Sequence, residues 1–287
     1  MRAFVAVADE LHFGRAAARL HMAQPPLSQL IRRLEAELGL VLFERNRRRV
    51  ELTEAGGGLL APARETVAAA DGLLTLARDV AAGAAGTLAI GFVGSAAAGA
   101  LPDLVRRMRA QAPGVRLTLR ELTSARQQEA LLEGRIHAGL LRESSARSEL
   151  SSAVLEEERL LAALPEGHAL CARARISVAD LAGEPWVLFP REEGSAFFDR
   201  ILALCRAAGY APRVEQEATY MPTIASLVGA GLGVSLVPAS MADMAAPRVA
   251  LRALDEPSAT VPLVVAWRTA SESAALRRFL ALADVLP

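Results

Sequence analysis

Gln24-Pro25-Pro26-Leu27-Ser28-Gln29-Leu30-Ile31-Arg32-Arg33-Leu34-Glu35-Ala36-Glu37-Leu38-Gly39 is the stretch on which the reading of this chain turns. Proline sits near its start, where the N–H groups of a first helical turn have no partner and a missing donor costs nothing. Gly39 stands where the left-handed residue that ends a helix belongs. Between them Leu27, Leu30, Ile31, Leu34 and Leu38 recur at helical spacing and make one apolar face, while Ser28, Gln29, Arg32 and Arg33 fall largely off it. The spacing predicts a helix with an apolar face and a polar, basic one.

Upstream, residues 1–12 read as a helix that buries Phe4, Val5 and Ala8, and Gly14–Leu20 as a short helix whose Ala16, Ala17 and Leu20 allow a close crossing. His21-Met22-Ala23 is a tight connection. A short helix, a tight turn and a longer helix with a polar face form a helix-turn-helix, whose second helix enters the major groove with its N-terminal half at the base edges. The same periodicity fits an ordinary amphipathic helix hairpin with a solvated face. Downstream, Val41–Arg45 and Arg49–Thr53 are strand-like runs around Asn46-Arg47-Arg48. A hairpin tipped with Arg45, Arg47, Arg48 and Arg49 makes a phosphate clamp, which sets register and affinity but not base choice. A basic turn standing alone is ordinarily just solvated; placed directly after a helix pair it reads as a wing.

The 287 residues fit two or three domains. Formal net charge is zero, so a nucleic-acid surface has to be local rather than spread over the chain. Every basic residue except histidine is arginine, which suits bidentate contacts to phosphate and guanine. Two isolated cysteines, Cys171 and Cys205, and scattered histidines give neither a disulfide framework nor zinc-ligand spacing. The first residues do not read as a signal peptide, and the apolar runs are too short for a membrane span. The expectation is a cytoplasmic protein of the reducing compartment.

Thr53 is an N-cap candidate for a long helix in which Leu60, Ala63, Val67, Ala70, Leu74 and Ala77 alternate three and four apart, the seam of a coiled coil. A helix lying on its own domain is the other reading. Gly56-Gly57-Gly58 is unusual inside a helix, and Gly83–Gly86 reads as a hinge.

From Thr87 the pattern becomes strand–helix alternation. Runs at 87–93, 115–121 and 136–141, separated by helices at 98–111 and 125–133, make a βαβαβ unit with a parallel sheet. A second unit starts near 162, with Pro262–Trp267 and Glu272–Val285 returning to the first. Ligands in open α/β sheets lie beyond the carboxyl ends of strands. That rule selects Gly94-Ser95 at the end of the first strand and Leu122-Thr123-Ser124 at the end of the second. Helix N-termini there suit an anion, although Ser and Thr at such places also serve as plain caps, and Ser124-x-x-Gln127 reads as a capping box.

Phe4 to Gly56 resembles the DNA-binding domain of LysR-type transcriptional regulators, with FGRAA, QPPLS, IRRLEAELG, LFER and LTEAG in the family's order. The resemblance continues more loosely to the C-terminus, where IGFVGS, RELTSARQQEALLEGRI and SLVPAS resemble regulators of aromatic-compound catabolism, the muconate- and benzoate-responsive subgroup. It implies an all-α winged helix-turn-helix domain (1–58), a linker and dimerisation helix with a hinge (59–86), and an α/β two-lobed effector-binding domain similar to periplasmic binding proteins. Its first lobe would hold 87–161 and 266–287 and its second 162–265. Family members carry more residues ahead of Phe4, so the first helix is expected to be short.

The resemblance implies double-stranded promoter DNA as partner, read by Gln24, Pro25, Pro26, Ser28, Gln29, Arg32 and Arg33 and clamped by the four wing arginines. It also implies a homodimer or homotetramer, RNA polymerase as a further partner, and no cofactor beyond a small anionic effector, an aromatic acid or dicarboxylate. Ser95, Ala96 and Thr123 would bind the effector carboxylate, Arg142 a second acid group, and Phe189, Pro190 and Thr223 would face them from the opposing lobe; a solvated or salt-bridged Arg142 and a plain lobe-core place for the last three are the other readings. Arg191-Glu192-Glu193-Gly194-Ser195 is highly charged for a pocket rim.

An enzyme is not expected. The chain has no nucleophile elbow or phosphate loop, and Gly229-Ala230-Gly231-Leu232-Gly233 follows a helix and precedes a strand, the reverse of a dinucleotide fingerprint. A redox-sensing regulator of the same fold, working through Cys171 and Cys205, is the alternative.

Overall fold

The computed structural model describes residues 1–45, 49–144, 147–243, 247–271 and 273–285. It separates into two units, Met1–Asp79 and Val80–Pro287.

The first unit opens with α1 (Arg2–Glu10), α2 (Phe13–Arg19) and α3 (Gln24–Leu38), followed by β1 (Phe43–Arg45), β2 (Val50–Leu52) and the long α4 (Glu54–Ala81). Leu11 takes a left-handed conformation that ends α1, and the His12 Nδ1 then accepts the Gly14 and Arg15 N–H groups, capping α2. Helix α3 starts at the proline pair and ends at Gly39 with φ 68°, as the sequence reading expects. Phe4, Val7, Phe13, Ala16, Ala17, Leu27, Ile31, Leu42, Phe43 and Ala63 form the core. Phe43 packs against the rings of Phe4 and Phe13 at 5.6 and 6.0 Å between centroids.

The apolar face of α3 is narrower than its sequence suggests. Leu27 and Ile31 are fully buried, but Leu30 and Leu38 stay 47% and 42% exposed. Leu34, further along the same face, packs partly against the core. Strands β1 and β2 pair antiparallel, Phe43 opposite Leu52 and Arg45 opposite Val50. The Glu35 carboxylate accepts the Leu42 and Phe43 N–H groups, tying the hairpin to α3.

Asp9 joins three helices: it accepts from Arg64 of α4 at 2.7 Å and from Arg19 of α2 at 3.0 Å. The Arg64 hydrogen bond foremost, with help from Arg19 and against burial, holds its carboxyl below the ordinary value. A depressed carboxylate contributes stability above its unfolded value and loses it as pH falls through the folded one. Asp9→Asn is therefore expected to cost about 0.5–1 kcal/mol at neutral pH. In urea titrations that difference should shrink toward zero once the pH drops below the ordinary value of 3.8.

Thr53 caps α4: its Oγ1 accepts the Gly56 N–H at 3.0 Å while donating to the Val41 carbonyl at 2.7 Å. Ala63, expected at a seam between subunits, is fully buried in the first unit's own core, and Leu60 packs partly against it. Beyond Val67 the helix is exposed on all sides, Leu73, Leu74, Leu76 and Val80 included.

The second unit contains β3 (Ala85–Phe92), α5 (Gly94–Ala98), α6 (Ala100–Gln111), β4 (Gly114–Glu121), α7 (Ser124–Leu132), β5 (Ala138–Leu141), β6 (Leu150–Pro165), β7 (Arg175–Ile176), β8 (Pro185–Leu188), α8 (Ser195–Ala207), β9 (Arg213–Glu217), α9 (Met221–Gly229), β10 (Ser235–Pro238), β11 (Val249–Leu254), β12 (Thr260–Arg268) and α10 (Ala274–Leu282). Strands β4, β3 and β5 are parallel, as the alternation predicts. Strand β3 begins at Ala85, so Gly86 lies in the sheet rather than in a hinge.

The sixteen residues of β6 were not legible as a strand. Its first part pairs with β12 and its last part with β10 and β11, so one strand runs through both lobes. Two cores flank it. One gathers Leu88, Ile90, Leu101, Leu140, Leu263, Val265 and Phe279; the other gathers Leu160, Trp186, Ile201, Ile224, Leu236 and Val261. The return from second lobe to first thus falls between Val261 and Leu263, earlier than the expected boundary after residue 265. The cause is the continuous β6–β12 pairing, which lets one strand change cores without a loop.

Candidate functional site

On α3 the side chains of Gln24, Pro25, Pro26, Gln29, Arg32 and Arg33 are exposed and Ser28 is half-buried. All lie within the first ten of the fifteen residues of α3. Arg33 pairs with Glu37 at 2.9 Å, one turn on, while Arg32 has no ion-pair partner among the described residues. Arg49 pairs with Glu51 at 2.9 Å. The Arg45 side chain, Arg47 and Arg48 lie outside the described residues.

In the second unit a cleft open to solvent at its mouth lies between the lobes. Ser95, Thr123, Ser124 and Arg142 line it from the carboxyl ends of β3, β4 and β5. Phe189, Phe197, Tyr220, Met221 and Pro238 face them from the second lobe. The strand-end rule therefore picked loops that line this cleft. Its helix assignments need correction. The helix expected at 98–111 is α6, but a short turn that the reading missed, α5, precedes it, so Ser95 sits on a five-residue helix. The cap of α7 is Thr123, whose Oγ1 accepts the Arg126 N–H at 3.3 Å, and not Ser124, which is the first helical residue. Gln127 is no capping partner either. It is fully buried, and its Nε2 donates to the Leu122 and Leu140 carbonyls at 3.0 Å each, fastening the ends of β4 and β5. A Cβ on Gly139 would stand 2.7 Å from its Oε1, so glycine makes the room it needs.

Three expected cleft residues are placed elsewhere. Ala96 is buried in the first lobe's core, its N–H donating to the Val93 carbonyl. Pro190 is buried behind the rim, at the start of the short 3₁₀ turn Arg191–Glu193. Thr223 is exposed on α9, because the helix begins at Met221 and turns it away; Thr219, Tyr220 and Met221 line the cleft instead.

Arg142 does not stand ready for a second acid group. Its side chain is 6% exposed, and Nη2 lies 2.6 Å from Glu158 Oε2, whose side chain is 10% exposed. The pair sits off the hydrogen-bonding axis, since Nε and Nη2 both donate to the Ser95 Oγ, at 3.1 and 2.9 Å. Burial lowers the Arg142 guanidinium's affinity for its proton, opposed by Glu158 and Glu156. Burial first, then repulsion from Glu158, raises the Glu156 carboxyl above its ordinary value. Sequence reasoning missed Glu158 because β6 itself was not recognised.

Carboxylates also brace the lobes. Glu193 of the second lobe accepts the Thr123 hydroxyl at 2.5 Å. In return Glu143 of the first lobe accepts the Ala196 N–H at 3.0 Å and the Ser195 hydroxyl at 3.3 Å, at the start of α8. Ser240 donates its N–H to Glu158 and its hydroxyl to the Ser95 carbonyl. The charged run 191–195, singled out from sequence as unusual for a rim, is thus half of an interlobe contact.

Cys205 is fully buried on α8, and burial pushes its thiol above the ordinary value. Cys171 is half-buried and donates weakly to the Pro165 carbonyl at 3.5 Å. A sensing cysteine needs a lowered value and access, so a redox role is not favoured. No group of metal-ligating side chains occurs among the described residues, and no helix among them is long and apolar enough to cross a membrane.

Residues 1–57 match the family described as bacterial regulatory helix-turn-helix protein, lysR family, and residues 81–286 match the LysR substrate binding domain. The HTH-type transcriptional regulator AlsR of Bacillus subtilis (strain 168) is 37% identical over 281 residues, 98% of this chain and 93% of that protein. The crystal structure of CbnR, a LysR family transcriptional regulator, is matched at 31% identity with a TM-score of 0.86, over 98% of this chain and 97% of that one. Full-length CbnR complexed with its target DNA is matched at 30% identity and a TM-score of 0.84, over 99% of this chain and 96% of that one.

Proposed function

This chain belongs to the LysR family of bacterial helix-turn-helix transcriptional regulators, and we propose that a small carboxylate in the cleft between its effector lobes governs its action at promoters. It is a DNA-binding regulator, not an enzyme. The observation that carries the effector reading is the convergence of Ser95, Thr123, Ser124 and Arg142 from three strand ends on one apolar-walled cleft. Hydroxyl donors beside a guanidinium suit an acid group. Phe189, Phe197, Tyr220 and Met221 suit an apolar or aromatic body, in keeping with a likeness to regulators of aromatic-compound catabolism. Because Arg142 already faces Glu158, the arrangement supports a monocarboxylate over a dicarboxylate.

The exposed leucines of α4 support self-association with a second copy of this chain, as a dimer or as a tetramer of paired dimers. Two recognition helices would then meet successive major grooves. RNA polymerase is the further partner of such a regulator, and the cytoplasm its compartment.

Gln29→Ala and Arg32→Ala are each expected to weaken promoter binding by about 1–3 kcal/mol in fluorescence anisotropy, as loss of a base contact does. Unaltered binding by both variants would move the reading edge off α3. For the effector, Ser95→Ala combined with Thr123→Val should abolish the ligand response while sparing DNA binding. A response that survives both changes places the ligand elsewhere.

A further inference from the structure

We infer that the cleft takes a zwitterionic α-amino acid with an apolar side chain, its carboxylate held by Ser95, Ser124 and Arg142 and its ammonium by Glu193. The inference rests on the carboxylate reading above and narrows it.

The donors left unspent define the first half. The Ser95 Oγ accepts two N–H groups of Arg142, and the Ser124 Oγ accepts the Arg142 backbone N–H at 3.3 Å. A hydroxyl that accepts still has its own proton to donate. Arg142 lines the cleft, and its buried Nη1 has no hydrogen-bond partner among the described residues. A buried guanidinium nitrogen left empty is costly, and two hydroxyls with one such N–H make a carboxylate seat.

Charge defines the second half. Arg142 is the only cation among the described residues lining the cleft, and Glu158 already neutralises it. Glu156 stands two residues away on the same strand, and Glu193 brings a further carboxylate to the rim. A purely anionic ligand would give up its hydration with no surplus cation to meet it. A zwitterion supplies its own. Among the described residues the Glu193 carboxylate accepts one hydrogen bond, from Thr123, and two carboxylate oxygens have capacity for several more. Glu193 is fastened to Thr123, and the acid seat includes Ser124, the next residue, so neighbouring residues meet the ligand's two charges. The remaining walls, Leu122, Phe189, Phe197 and Met221, are apolar and suit the side chain.

Isothermal calorimetry on the full chain tests this with apolar L-amino acids (valine, leucine, methionine, phenylalanine) against the same acids lacking the amino group. Wild-type protein should bind at least one amino acid ten-fold or more tighter than its deaminated counterpart. Glu193→Gln, which keeps shape and removes charge, should erase that preference by weakening the amino acid and leaving the plain acid unchanged or tighter. Equal or tighter binding of the deaminated acids by wild type overturns the inference and leaves the carboxylate reading standing. A preference that persists in Glu193→Gln overturns Glu193 as the ammonium partner. Failure of both ligand sets to bind wild type overturns the carboxylate reading along with it.

Discussion

Replacing Arg142 by methionine is expected to destabilise the effector unit by about 3–5 kcal/mol, the usual cost of removing one partner of a buried ion pair. The volume is nearly kept, so the loss is electrostatic. Glu158, 10% exposed, would face the Glu156 carboxylate with its counter-charge gone, and the Ser95 hydroxyl would lose both donors that hold it. For a unit of about 200 residues this is a fall in melting temperature of roughly 10 °C. Differential scanning calorimetry of the full chain should show it in the effector unit's transition alone. Adding Glu158→Gln should recover at least half of the loss, because the orphaned charge is then gone while the acceptor for the Ser240 N–H remains. If the single variant melts with the wild type, the ion pair is not what fastens the cleft.

The second large effect is at Gly56. A Cβ there would stand 2.2 Å from the Leu42 carbonyl oxygen, and that oxygen already accepts the Thr53 N–H at 3.1 Å. Neither backbone can yield without opening the junction between wing and α4. Gly56→Ala is therefore expected to cost the first unit about 3 kcal/mol, the upper part of the range for an overpacked site, and to abolish promoter binding near the melting temperature. Gly57 and Gly58 meet nothing within 4 Å. Alanine at either should stabilise the helix by up to about 1 kcal/mol. Chemical unfolding of the three single variants separates these cases: one glycine of the run is required by contact, and two are dispensable. A Gly56→Ala protein as stable as the wild type would mean that the approach of α4 to Leu42 is not as close as described.

The sequence could identify Gly56-Gly57-Gly58 as anomalous but could not say which glycine matters, because the obstructing carbonyl belongs to a residue fourteen positions away and to another element. The same limit explains the other differences. Leu30 and Leu38 have the period of buried residues, yet burial depends on what lies opposite, and only Leu27 and Ile31 of α3 are fully enclosed. Thr223 has plausible chemistry, but a helix that starts at Met221 turns it outward. Conversely Glu158 and Glu193 carry no local signature, since their partners Arg142 and Thr123 are 16 and 70 residues distant.

What the amino-acid sequence determined by itself was local order. The proline pair and Gly39 bound α3, Thr53 starts α4, alternation of strands and helices makes the sheet parallel, and Ser95 and Thr123 stand at strand ends. Each follows from backbone hydrogen bonding and side-chain period over a few residues, which the chain states directly. Only the tertiary structure decided the charge of the cleft. From sequence Arg142 is either a cation for an acid group or half of a salt bridge; the structure pairs it with Glu158, while Glu193 arrives from the second lobe onto Thr123. Electrostatics in a buried site depends on which charges are brought within a few ångströms, and that is fixed by strands and lobes meeting across the fold rather than by neighbours along the chain.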